Sequence, residues 1–407
     1  MPVMIQKMGG RRLLAMSLVL LMSVVSCLPP KGVDRVAAPY SEDTLRYHLE
    51  ALAQRVVSKL QSRPGEAFSL DQEVGLVEEY FVLNGQIKRL DKEVSLRAQS
   101  DGVIAALSDQ LGWARHRRDS IKGQVEDIVT RQVGESLQEA GLSPPDGSRG
   151  VSGLFPPSAF FLLKPPYVLV SSPRESIEIS SSYLLASQLS MSNIEDLEKQ
   201  VEAQGLSALV EVTGGFSLYP AWVAEDDDLR RTLQTVAHEW THAYLFLFFP
   251  LGRAYFQGQQ MRTINETVAG TVGHEVGEAV YRRYYAALEA PAPQAAVAAA
   301  REREFDFAKR MGALRAAVEG MLADGRVEQA EAYMEAERLR LVARGFYLRR
   351  LNQAYLALHG TYADNPGFES PIGTVLKDIR SKSRSLGDFI RKVGAVSSYA
   401  DFHELTE

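Results

Sequence analysis

The stretch TVAHEWTHAYLF, Thr235 to Phe246, places two of the chain's seven histidines four positions apart, with a glutamate directly after the first. On a helix, positions i and i+4 lie about 40° apart on one face and one turn along. His238 and His242 would therefore aim two imidazoles at one point. Glu239, about 100° further round, would reach a water held at that point without being a ligand itself. This is the mechanical content of His-Glu-x-x-His: two zinc ligands and a general base. The flanks fit a helix from about Asp228 to Phe249. Asp226 to Asp228 put negative charge where the helix dipole favours it, and Pro250 stops the run. Taken alone the motif leaves a second reading open, two histidines on a packed or solvated helix face.

A third ligand is needed, and Glu266 in INETVAG follows His242 by 24 positions. The next helix is expected over Ile264 to Leu288, where Glu266, Gly270, Gly273 and Gly277 recur at i, i+4, i+7 and i+11. Each glycine inside a helix costs about 1 kcal/mol relative to alanine. Close packing of this helix against the histidine helix explains the stripe and brings Glu266 to a His2Glu site with a fourth position left for water. The alternative is a tight helix crossing with Glu266 at the surface. His274-Glu275 does not repeat the motif and reads as polar surface or as a pair behind the ligands.

His238-Glu239-x-x-His242 with Asn265-Glu266-Thr267-Val268-Ala269 resembles the gluzincin group of zinc metallopeptidases. More narrowly, it resembles bacterial aminopeptidase-like zinc proteases in which these two motifs precede a late LNxAxLAxxxTY segment, here LNQAYLALHGTY, Leu351 to Tyr362. The resemblance spans roughly Tyr167 to Tyr362, about half the chain. It implies a zincin-like core, one Zn2+ per chain, a peptide or protein substrate, and Glu239 as the base toward a zinc-activated water. It also implies a substrate-binding strand before the catalytic helix, a place occupied here by VEVTGGFSLYPAW with Gly214 and Gly215. A bulge at a domain turn is the other reading of that glycine pair. The late segment offers Tyr355, His359 and Tyr362 as candidate oxyanion donors, with ordinary packing as the alternative for each. The Gly-x-Met-Glu-Asn strand of the aminopeptidase branch is absent, with Glu211 as a substitute candidate, so exopeptidase and endopeptidase action both stay open.

The N-terminus bears on compartment. Lys7, Arg11 and Arg12 precede the apolar run Leu13 to Val25, which reads as an export signal. Val24-Val25-Ser26-Cys27 resembles the lipobox of bacterial lipoproteins, and Cys27 is the only cysteine. The expectation is a signal over 1–26, lipid on Cys27 and anchorage on the extracytoplasmic side of a bacterial envelope membrane. An uncleaved N-terminal anchor is the alternative. A single cysteine cannot form an intrachain disulfide, so stability must come from packing. A net charge of −6 gives no support to nucleic-acid binding.

The expected organisation is a tether over 27–40, a helical region over 41–142 and a Pro/Gly/Ser-rich linker over 143–158. Next come a catalytic core over 159–289 and a helical region over 290–407 that completes the cleft. The pattern is helical from Ser41 to about Ala140, broken at Pro64-Gly65, resuming around Leu70–Val82 and continuing through Ile121–Leu137, which reads as a helical hairpin or small bundle. In the core, Tyr167–Ser172 and Ser176–Ser180 suggest a hairpin, Ile194–Gln204 a helix, and Ala208–Val223 one strand interrupted at Gly-Gly. A helix pair is expected over Arg301–Asp324 and Val327–His359. The fold class is α+β, predominantly helical. Besides a peptidase, the pattern admits a non-catalytic lipoprotein module that binds or assembles with partners around a zinc site. It also admits a zinc amide hydrolase acting on cell-wall peptides.

Overall fold

The computed structural model describes residues 32–41, 68–96, 101–143, 154–217, 219–288, 294–360 and 371–405. The expected signal, Cys27, the helix expected beyond Ser41, and Tyr362 lie outside the described residues. Among the described residues no helix is long and apolar enough to cross a membrane. The fold is predominantly helical with a small mixed sheet and a second, antiparallel one.

A short helix α1 (Val33–Ala37) falls in the segment expected as a tether, and it is docked. Val33 and Ala37 are buried, and Ala186 N donates to Tyr40 O at 2.8 Å. The long helices α2 (Leu70–Leu96) and α3 (Asp101–Glu139) lie antiparallel, the helical hairpin expected in this region. Strand β1 (Phe160–Leu163), a four-residue apolar run outside the expected elements, follows and is a strand through its pairing with the later Ala221–Ala224. β2 (Tyr167–Pro173) pairs antiparallel with β3 (Ser181–Leu185), so the hairpin partner is SSYLL and not Ser176–Ser180. Ser176–Ser180 is a connector, tied back where Ser180 N donates to Ser171 O at 2.9 Å.

Helix α4 (Met191–Glu202) carries a Ser190–Asn193 capping box. The single strand expected over Ala208–Val223 is instead three. β4 (Leu206–Val212) pairs with β2, whereas β5 (Gly215–Phe216) and β6 (Ala221–Ala224) form an antiparallel pair in the other sheet. β1 runs parallel to β6, giving sheet orders β1-β6-β5 and β3-β2-β4. The histidine helix α5 (Leu229–Phe248) matches its expected ends within a residue. Asp228 caps it by accepting from Arg231 N at 3.0 Å, an interaction worth about 1 kcal/mol. Pro250 opens the one-turn helix α6 (Pro250–Arg253).

Helix α7 (Gln259–Val280) starts five residues before the expected Ile264 and gives way to π and 3-10 turns through Leu288. α8 (Gln294–Ala323) and α9 (Val327–Ala343) follow. The expected helix to His359 breaks at Gly345, whose φ of +83° suits glycine. There Phe346 N returns to Leu341 O at 3.1 Å. α10 (Gln353–His359) is therefore separate, capped by Asn352. α11 (Pro371–Ser381), α12 (Leu386–Gly394) and α13 (Tyr399–Glu404) complete the chain.

One apolar core joins Tyr80, Val125 and Leu137 of the N-terminal helices to Phe160, Leu233, Trp240, Val268, Val272, Phe389 and Phe402. The N-terminal helices, the α5–α7 pair and the last helices thus share one interior. Burying each large apolar side chain contributes about 1.5–3 kcal/mol, more than a typical exposed ion pair. The antiparallel sheet is covered on both faces by its alternation. Leu169, Ala208 and Val210 face α1 and α4, while Val170 and Leu209 face α8, α9 and α10.

Candidate metal centre

The centre is built where α5 and α7 pack. A Cβ on Gly273 would lie 2.7 Å from Gln234 O and 3.0 Å from His238 Cβ. One on Gly277 would lie 2.7 Å from Gln234 N. Both neighbours include backbone that cannot yield, so only glycine lets α7 approach this closely. That approach sets Glu266 opposite the two histidines.

His238, His242 and Glu266 turn one donor atom each toward a common point. The Nε2 atoms of His238 and His242 are 3.0 Å apart, and Glu266 Oε2 is 3.3 and 3.4 Å from them. Ligands about 2.0–2.1 Å from a tetrahedral ion stand about 3.3–3.4 Å from one another, so this triangle has the size of three corners of such a site. Glu266 Oε2 is buried and faces only the two histidine nitrogens, with no further hydrogen-bond partner, so a cation at the centre of the triangle would satisfy it. The histidine side chains keep 16% and 14% of their exposure, which leaves an approach from solvent. The donor set thus fits a metal ion.

The ligands are held from behind. Asn265 donates its amide to Leu251 O at 3.2 Å, which turns Oδ1 toward His242 Nδ1 at 2.7 Å. With a metal at the centre, Nδ1 would carry the proton and Nε2 would offer its lone pair. Tyr255 OH donates to Glu266 Oε1 at 2.6 Å, leaving Oε2 for the centre. Burial opposes charge on both His242 and Glu266, yet each stabilises the other's charged form. The facing Glu266 carboxylate pushes His242 up to about 9, and the histidines hold Glu266 well below the usual carboxylate range.

Glu239 sits next to this triangle and is 7% exposed. Burial raises its pKa, with His238 and His242 pulling the other way. β5 roofs it. A Cβ on Gly215 would strike the Glu239 carboxylate, 2.9 Å from Cδ and overlapping Oε1. Ser217 Oγ donates to Glu239 O at 3.0 Å, fastening this segment to α5. Gly214 differs: a Cβ there meets nothing within 4 Å. β5 is also the edge of its sheet, with no further strand beside it among the described residues.

The structure groups Tyr355 and His359 elsewhere. α10 packs on the antiparallel sheet, where His359 Nε2 lies 3.0 Å from Glu211 Oε2 and stacks on Tyr355 at 4.1 Å between centroids. Tyr355 belongs to the interior between that sheet and α8–α10. Glu211 and His359 therefore engage each other, not the three ligands. His274 is exposed and Glu275 is bound by Arg380 through two bonds of 2.7 Å, so this pair ties α7 to α11. Sequence reasoning missed Tyr255 and the orienting role of Asn265. Asn265 is legible in retrospect as the residue before a ligand. Tyr255 lies in an irregular loop and reaches Glu266 only through tertiary packing.

No family model, curated protein or solved structure matches this chain.

Proposed function

We propose that the protein is a zinc-dependent peptidase of gluzincin type. The observation that carries this reading is a buried carboxylate, Glu239, adjoining a triangle of donor atoms sized for a tetrahedral metal ion. A purely structural metal site gains nothing from such a neighbour. His238, His242 and Glu266 would hold the zinc, which would supply Lewis acidity toward a water and a peptide carbonyl. Glu239, buried beside the triangle, would accept the water's proton and return it to the leaving amine. Asn265 and Tyr255 keep the ligands aimed. The open edge of β5 accepts an extended peptide backbone, and the absence of a side chain at Gly215 keeps that strand close to the base.

The basic residues and apolar run before Cys27 support an extracytoplasmic setting for this activity, on a bacterial membrane through lipid on Cys27. The reading is tested by exposing a mixed peptide library to the zinc-loaded protein and to Glu239→Gln. Cleavage by the native protein alone, with both forms holding zinc, is the expected result, and the new termini reveal exo or endo action. Zinc retention without cleavage in either form argues for the binding-module alternative.

A further inference from the structure

Arg262 lies one helical turn before Glu266 on α7, about 6 Å along the axis and on the same face. Its guanidinium sits over the ring of Tyr255, 5.4 Å from the centroid, and Tyr255 in turn holds Glu266. Arg262 Nε is buried with no hydrogen-bond partner, while the residue as a whole keeps some solvent access. Among the described residues no carboxylate forms an ion pair with it.

Other half-buried arginines in this protein are matched to acids. Arg118 pairs with Glu225 at 3.0 Å, Arg174 with Glu331 at 2.6 Å, Arg349 with Glu198 at 2.5 Å and Arg380 with Glu275 at 2.7 Å. A partly desolvated cation without an acid is costly, and Arg262 bears that cost next to the metal centre. Its planar fork matches a carboxylate through two parallel hydrogen bonds.

We propose that Arg262 is a specificity-determining residue that receives a carboxylate of the peptide substrate. This rests on the peptidase reading of the same site. Either an acidic side chain or the peptide's own C-terminus supplies this group, and the shared chemistry is the carboxylate. The exposed Phe256, packed edge-on against Tyr255 at 5.0 Å, gives the position an apolar rim.

The test uses short labelled peptides that carry Glu or Gln at each position in turn, with free or amidated C-termini. Binding to the metal-free protein is followed by fluorescence anisotropy, and cleavage by the zinc-loaded protein is followed separately. The native protein should favour the carboxylate member of one pair by on the order of tenfold. Arg262→Met should abolish that preference and Arg262→Lys should keep part of it. A Glu-over-Gln preference assigns the side chain, and a free-over-amidated preference assigns the terminus. Equal binding of both members by the native protein overturns the proposal and needs no variant to show it. So does a preference that survives in Arg262→Met, even if that variant melts lower or holds zinc less tightly, because Arg262 would then only support Tyr255. Cleavage without acidic preference leaves the peptidase reading standing and removes the carboxylate site. An Arg262-dependent preference in binding with no cleavage does the reverse.

Discussion

Asn265 Oδ1 lies 2.7 Å from His242 Nδ1, and the same amide is anchored by donating to Leu251 O. The residue beside one ligand thus sets the tautomer of another. Asn265→Ala should leave the fold intact and weaken zinc affinity by about 10–100-fold, the usual cost of losing such a partner. Competition against a chromogenic chelator measures it. Undiminished affinity would show that helix packing alone aims His242.

Gly215 meets Glu239 and not the ligands. Gly215→Ala should therefore retain zinc while its peptidase rate falls by about tenfold or more, as a displaced base predicts. Gly214→Ala, whose Cβ meets nothing within 4 Å, should give the smaller loss. Zinc content and turnover measured on the same samples separate the two effects.

Helix propensity alone favours alanine over glycine by about 1 kcal/mol. At Gly273 the opposite sign is expected, because the added Cβ would press on Gln234 O at 2.7 Å and His238 Cβ at 3.0 Å. Overpacking of this kind costs about 1–3 kcal/mol. Denaturant unfolding of metal-free Gly273→Ala should show net destabilisation, accompanied by weaker zinc binding. A stabilised variant would refute the tight α5–α7 contact.

The metal-free protein should show a pH signature. His242 is raised from 6.5 to about 9 in the fold, so its pairing stabilises the fold fully below 6.5 and is lost as pH rises through 9. Against His242→Gln, the native metal-free protein should lose melting temperature across that window. Zinc competes with the same proton, so zinc affinity should rise over the same range. A flat difference between native protein and variant would remove the charged pairing of His242 with Glu266.

The parts of this architecture written in local chemistry were legible in the sequence. The ends of α5 follow from the Asp228 cap and Pro250, and a stripe of glycines below Glu266 marks the helix that meets it. What depends on distant partners was not legible. β1 is a strand because β6 lies beside it, and β4 parts from β5 because each finds a different sheet. Gly345 is a local stop signal set inside a long charged run whose pattern otherwise continues the helix. Tyr355 and His359 share a segment with a family-like pattern, but their surroundings are set by Glu211 on β4. Tyr255 and Arg262 stand out only once Glu266 is in place.

The central claim is that His238, His242 and Glu266 hold one metal ion. Zinc stoichiometry combined with X-ray absorption at the zinc edge tests it most directly. One zinc per chain is expected, bound by two imidazoles and oxygen at about 2.0–2.1 Å, and lost in Glu266→Ala. Absence of stoichiometric zinc, or the same zinc signal in a folded variant lacking both His238 and His242, would contradict it.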